Sequence, residues 1–149
     1  MFPDFAIRST QAELIDGTAY TPEEYDGNLA DLRRVNKYLG GRRALAKHLF
    51  PMIEKIAQKE RTVRLLDIGT GSADIPKFII DWARGKGIKV EFTVLDYNWL
   101  AAHGATIESA GYSEITVVQA DAMNLPFADK SFHFVLASLF LHHFETRQA

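Results

Sequence analysis

The chain has 149 residues, 47% hydrophobic, 11% aromatic and 24% charged, the composition of one ordinary globular domain or part of one. Lys and Arg number 17 against 19 Asp and Glu, for a net charge of −2 and a pI near 6.2, so no basic footprint for nucleic acid or an anionic membrane is visible. Cysteine is absent, which removes disulfides, thiolate metal sites and cysteine nucleophiles together, and with no apolar leader or spanning run the expectation is a cytoplasmic protein with no membrane partner.

Residues 1–27 show no sustained period, but Thr21-Pro22-Glu23-Glu24 has the form of a capping box with proline at the first helical position. From Asn28, Leu29, Leu32, Val35 and Leu39 recur at helical steps, and Gly40-Gly41 is expected to close that helix. A second pattern, Leu45, Leu49, Met52, Ile53 and Ile56, is interrupted at Pro51, which should kink or divide it. The period changes at Val63: Val63 to Ile68 is a short apolar run ending in glycines, as in a buried parallel strand entering a tight turn. Ser72 is the expected cap of the next helix, with Ile75, Phe78, Ile79 and Trp82 as its apolar stripe up to Gly85 and Gly87. Lys89 to Asp96 reads as a second strand, Trp99 to Ala110 as a helix stopped by Gly111, Ile115 to Asp121 as a third strand and Ser131 to Leu141 as a fourth. Strands alternating with helices of this length give an α/β fold, a Rossmann-like doubly wound parallel sheet, here spanning 61–149 behind an N-terminal helical cap at 1–60.

The sharpest local signal is Leu66-Asp67-Ile68-Gly69-Thr70-Gly71-Ser72-Ala73 at the carboxyl end of the first strand. Glycine serves where the backbone takes φ > 0 or a ligand must approach without meeting a Cβ, and amides freed at the following helix start favour an electronegative group. A ligand across this turn is therefore expected. A dinucleotide fingerprint would need a third glycine at position 74, which is Asp74, a carboxylate poorly placed beside a pyrophosphate.

Asp67, Gly69, Gly71 and Ala73 form D-x-G-x-G-x-A, which resembles the first motif of the class I S-adenosylmethionine-dependent methyltransferases with alanine in place of the last glycine. The resemblance runs from Val63 to about Phe144 and implies S-adenosylmethionine as cofactor, with S-adenosylhomocysteine as product. It implies cofactor contacts from Asp67, Gly69, Thr70 and Gly71 in the turn, Asp96 on the ribose hydroxyls and Tyr97 beside the adenine. Asp121, Ala122 and Met123 would meet the adenine edge, and Ser138, within the fourth strand, is a further implied cofactor contact. The bland readings are a solvated strand end for Asp96 and a loop cap for Asp121. His133 stands where the family usually has aspartate.

The sulfonium is already electrophilic, so such an enzyme mainly aligns a nucleophile and excludes water, and no metal is expected. The expected acceptor is a small molecule, a phenolic or polyketide-like metabolite methylated on an oxygen. His142 or His143 is the candidate general base, against a structural role in fixing the loop. Arg33, Arg34 and Tyr38 are candidates for the methionine carboxylate or an acidic substrate, against a solvated helix face. Two other functions stay open: a noncatalytic module that binds S-adenosylmethionine or a partner chain, and an NAD-dependent oxidoreductase. The family's sheet has seven strands in the order 3-2-1-4-5-7-6, and the sequence ends soon after the fourth. The expectation is a truncated form whose exposed fourth-strand edge pairs in a homodimer or with a complementing chain.

Overall fold

The computed structural model describes residues 41–138. The capping box at 21–24, the helix expected over 28–39, Arg33, Arg34, Tyr38, His142 and His143 lie outside the described residues. Seven elements follow in chain order: α1 (Gly41–Ala57), β1 (Val63–Ile68), α2 (Asp74–Lys86), β2 (Val90–Asp96), α3 (Trp99–Glu108), β3 (Ile115–Gln119) and β4 (Phe134–Leu136). All strand pairs are parallel, in the order β3-β2-β1-β4, which is the first half of the expected sheet. The strand-helix alternation makes these strands parallel, because the helices between β1 and β2 and between β2 and β3 return the chain to start the next strand in the same direction, while residues 120–133 carry it from β3 to β4 as a loop.

Gly41 is helical, and α1 passes through Pro51 as one element. Pro51 is exposed, so the carbonyl its missing N–H leaves unbonded can be hydrated. Leu49, Phe50 and Ile53 turn inward, whereas Met52, one residue off that stripe, is 53% exposed. The inward face packs beside α2: Phe50 stacks on Trp82 at 3.8 Å between ring centroids and lies 5.6 Å from Phe78. Leu49, Phe50 and Ile53 thus share one core with Val63, Leu65, Ile75, Ile79, Ile80, Phe92 and Val94. Each such side chain, fully buried, contributes roughly 1.5–3 kcal/mol.

Residue 73, not Ser72, is the N-cap of α2, and no side chain caps that end. Ala73 has φ 53°, so the alanine that replaces the motif's last glycine takes the left-handed backbone the glycine would supply. Pro76 sits in the first turn and Gly87 closes the helix. Helix α3 stops at Glu108, short of Gly111, and its cap Ser109 turns its hydroxyl back to the Ala105 carbonyl at 2.6 Å. The β2–β3 ladder ends at the Asp96–Gln119 pair, so β3 stops two residues before Asp121.

Strand β4 is three residues long, not the eleven or so of the apolar run, and residues 139–141 lie outside the described residues. It pairs with Leu65–Asp67 of β1, and among the described residues no strand lies on its other side. His133 anchors its start: its N–H donates to the Arg64 carbonyl at 2.8 Å, and its Nδ1 accepts from the Arg64 N–H at 2.9 Å. The imidazole thereby supplies the acceptor that a carboxylate oxygen would supply at that position.

Candidate functional site: the glycine turn and the acidic strand ends

The turn after β1 is held by β2. Gly69 N–H and Thr70 N–H both donate to the Leu95 carbonyl, at 2.8 and 3.2 Å. Gly71 N–H donates to Asp96 Oδ2 at 3.2 Å, and Asn98 N–H donates to Asp96 Oδ1 at 3.0 Å. One carboxylate at the end of β2 therefore fixes both the glycine turn and the entry to α3, where Asn98 Oδ1 caps the Leu100 N–H at 2.8 Å. Gly69 and Gly71 have φ 67° and 53°, the left-handed backbone for which glycine is suited. The amides of Gly69, Thr70 and Gly71 are thus committed to protein acceptors.

Asp67, on β1, is buried, and Thr70 Oγ1 donates to its Oδ2 at 2.8 Å. Burial, with added repulsion from Asp74 and Asp96, pushes its carboxyl up to about 7 against the pull of the Thr70 hydroxyl. In the unfolded chain the same group titrates near 3.8. Between those values the folded protein keeps a proton that the unfolded chain has lost, so stability falls as pH rises from about 4 to about 7 and levels off above. Asp67→Asn keeps an acceptor for Thr70 and removes the titration. Its melting temperature should change less between pH 5 and pH 8 than that of the wild type, as read by thermal melts at both values, and equal pH dependence in the two would contradict this account of Asp67.

Of the other expected contacts, Tyr97 is 75% exposed, just past Asp96, and Gln119 Nε2 donates to its carbonyl at 3.2 Å. Asp121 is exposed, and its Oδ1 accepts from Met123 N–H at 2.8 Å, so it does cap its own loop while presenting that loop beside β2. Ala122 is half-buried, Met123 is 54% exposed, and Ser138 is half-buried two residues beyond β4. Asp67, the turn and Asp96 come together at one edge, with 121–123 beside them on β3's side and Ser138 on β4's side. Sequence reasoning missed Asn98 and Gln119, which brace Asp96 and Tyr97, although Asn98 before Trp99-Leu100 is a readable cap. It also missed Arg42, whose Nη2 lies 3.8 Å from Asp74 Oδ2 at the start of α2.

The Asp74 and Asp96 carboxylates set the sign of the site, since the buried Asp67 holds its proton up to about pH 7. With the turn's amides engaged, they repel a pyrophosphate and suit a ligand carrying positive charge. In shape the chain is similar to a protein assigned as an S-adenosylmethionine-dependent methyltransferase from Methanococcus maripaludis, with TM-score 0.52 and 18% identity over 87% of this chain and 57% of that one. It is also similar to a protein assigned as a sarcosine dimethylglycine methyltransferase from Galdieria sulphuraria, with TM-score 0.53 and 20% identity over 66% and 35%. The fold is that of the class I S-adenosylmethionine-dependent methyltransferases. Within that class the chain belongs to the ubiE/COQ5 methyltransferase family, whose sequence pattern matches residues 43–149. Among curated relatives it is 35% identical over 83 residues to a demethylmenaquinone methyltransferase of Bacillus velezensis and 32% identical over 83 residues to that of Bacillus pumilus. Each match covers 54% of this chain and 34% of the relative, so the chain spans about a third of the length of either.

Proposed function

We propose that the chain binds S-adenosylmethionine across the carboxyl edge of the sheet and transfers its methyl group to a small acceptor of phenolic type. The observation that carries this is the Asp96 carboxylate, pinned by the amides of Gly71 and Asn98 at the rim of the glycine turn. A carboxylate so oriented can also accept from two vicinal hydroxyls, and the ribose is the part of the cofactor that offers them. The residues present fit the group: the Asp74 and Asp96 carboxylates place negative charge at the turn, and the cofactor carries a sulfonium and an ammonium.

When bound, the cofactor supplies an electrophilic methyl, so the protein's part is placement. Asp96 orients the ribose, Tyr97 and the 121–123 loop border the adenine, and Asp67, Gly69, Thr70, Gly71 and Ser138 line the remaining edge. For an oxygen nucleophile a base is needed, and His142 or His143, which follow Ser138 in the sequence, are the residues we assign to it. The acceptor class draws on the chemistry of the curated relatives, named for demethylmenaquinone. A quinone in reduced form presents phenolic hydroxyls and falls in the same class.

The test is incubation of the chain with methyl-labelled S-adenosylmethionine and either a reduced naphthoquinone or a panel of simple phenols. Label in the acceptor is expected, with its position on oxygen or ring carbon read from the product. Tight cofactor binding with no transfer to any acceptor would replace this reading with that of a noncatalytic binding module.

A further inference from the structure

We infer that Arg42 is the anchor for the carboxylate of the cofactor's methionine moiety, an inference that rests on reading the turn as an S-adenosylmethionine site. The strand order β3-β2-β1-β4 gives the bound molecule a direction. Asp121 follows β3 and Asp96 ends β2, so the nucleoside lies toward that side and the amino-acid end points toward β1 and the start of α2. Helix α1 reaches the same place. Only residues 58–62 join it to β1, so the two run in opposite directions, and the 17 residues of α1 rise about 25 Å against about 20 Å for the six of β1. The first turn of α1 is thereby carried to the carboxyl edge. Two ion pairs agree, with Arg42 at the start of α2 beside Asp74 and Glu54 near its end, 3.4 Å from Lys86.

The guanidinium of Arg42 is placed but not used up. Its central carbon lies 5.1 Å from the centroid of the Phe78 ring, which holds the plane by a cation–π contact. Nη2 is 3.8 Å from Asp74 Oδ2, within reach of charge attraction but beyond a hydrogen bond, and Nε is buried with no acceptor. A buried N–H without an acceptor carries its full desolvation penalty and calls for an explanation. A ligand carboxylate answers this, because a guanidinium fork pairs with two carboxylate oxygens at once. The cofactor needs that answer too: the carboxylate is its one anionic group, entering an edge that carries the Asp74 and Asp96 carboxylates, and Arg42 is the cation the described residues place there.

Calorimetric titration of the wild type, Arg42→Ala and Arg42→Lys with S-adenosylmethionine and with decarboxylated S-adenosylmethionine isolates the contact, since the two ligands differ only in the carboxylate. The wild type should bind S-adenosylmethionine at least about tenfold more tightly than the decarboxylated ligand. Arg42→Ala should remove that difference by weakening S-adenosylmethionine alone, and Arg42→Lys, which keeps the charge but not the fork, should remove part of it. Should the alanine variant fail to fold, the lysine variant carries the same comparison. Equal weakening of both ligands would show that Arg42 only supports Asp74 and the turn, and weakening of neither would show no role; either result overturns the inference while leaving the cofactor reading intact. A wild type that binds neither ligand overturns both.

Discussion

Asp96→Ala is expected to lower the affinity for S-adenosylhomocysteine at least tenfold, about 1.4 kcal/mol. Two losses combine. The carboxylate that accepts from the ribose is gone, and so is the acceptor that holds the amides of Gly71 and Asn98 in place. Hydrogen bonds to a charged group contribute about 1.5–3 kcal/mol each, so the turn and the start of α3 loosen as well as the ligand contact being lost. Asp96→Asn separates the two, because its single amide oxygen can still hold one backbone N–H; it should melt closer to the wild type yet bind nearly as weakly as the alanine variant. Calorimetry and thermal melts on both variants check this. Unchanged affinity in a folded Asp96→Ala protein would remove Asp96 from the site.

Gly71→Val is expected to abolish measurable cofactor binding while leaving the domain folded. At φ 53° a side chain with a Cβ is strained by about 1–2 kcal/mol, and valine is among the worst placed there. Ala73 already accepts φ 53° with its side chain buried, so strain of this size is tolerated two residues away. The core of Val63, Leu65, Ile79, Phe92 and Val94 is untouched by the change. The two branched methyls stand where the ligand must pass over the turn and also disturb the Gly71–Asp96 bond, so binding fails before folding does. A large fall in melting temperature with normal binding would make the turn structural and move the cofactor elsewhere.

The β-strands and the turn were legible in the sequence because parallel strands buried on both faces are continuous apolar runs, and Asp67-Ile68-Gly69-Thr70-Gly71 punctuates the first of them. Asp96 was legible for the same reason, as the first acid after an apolar run. The element boundaries were not: α3 ends at Glu108 with Ser109 as its cap, and Ala73, not Ser72, caps α2, where the backbone is left-handed. The long apolar run from Ser131 suggested a long strand, yet pairing with β1 covers only Leu65–Asp67. Hydrophobicity reports burial and not ladder length. Arg42 escaped notice because nothing local marks it; its meaning comes from Asp74 and Phe78, more than thirty residues away.

The claim at the centre of this account is that the turn and Asp96 hold the nucleoside of S-adenosylmethionine. Titration of the chain with S-adenosylhomocysteine and, separately, with NAD tests it most directly, since both carry adenosine and only NAD carries a pyrophosphate. The account predicts one saturable site for S-adenosylhomocysteine and no heat of binding with NAD, because the amides of Gly69, Thr70 and Gly71 are already bonded and Asp74 stands where a third glycine would be. Binding of NAD in preference to S-adenosylhomocysteine would contradict it.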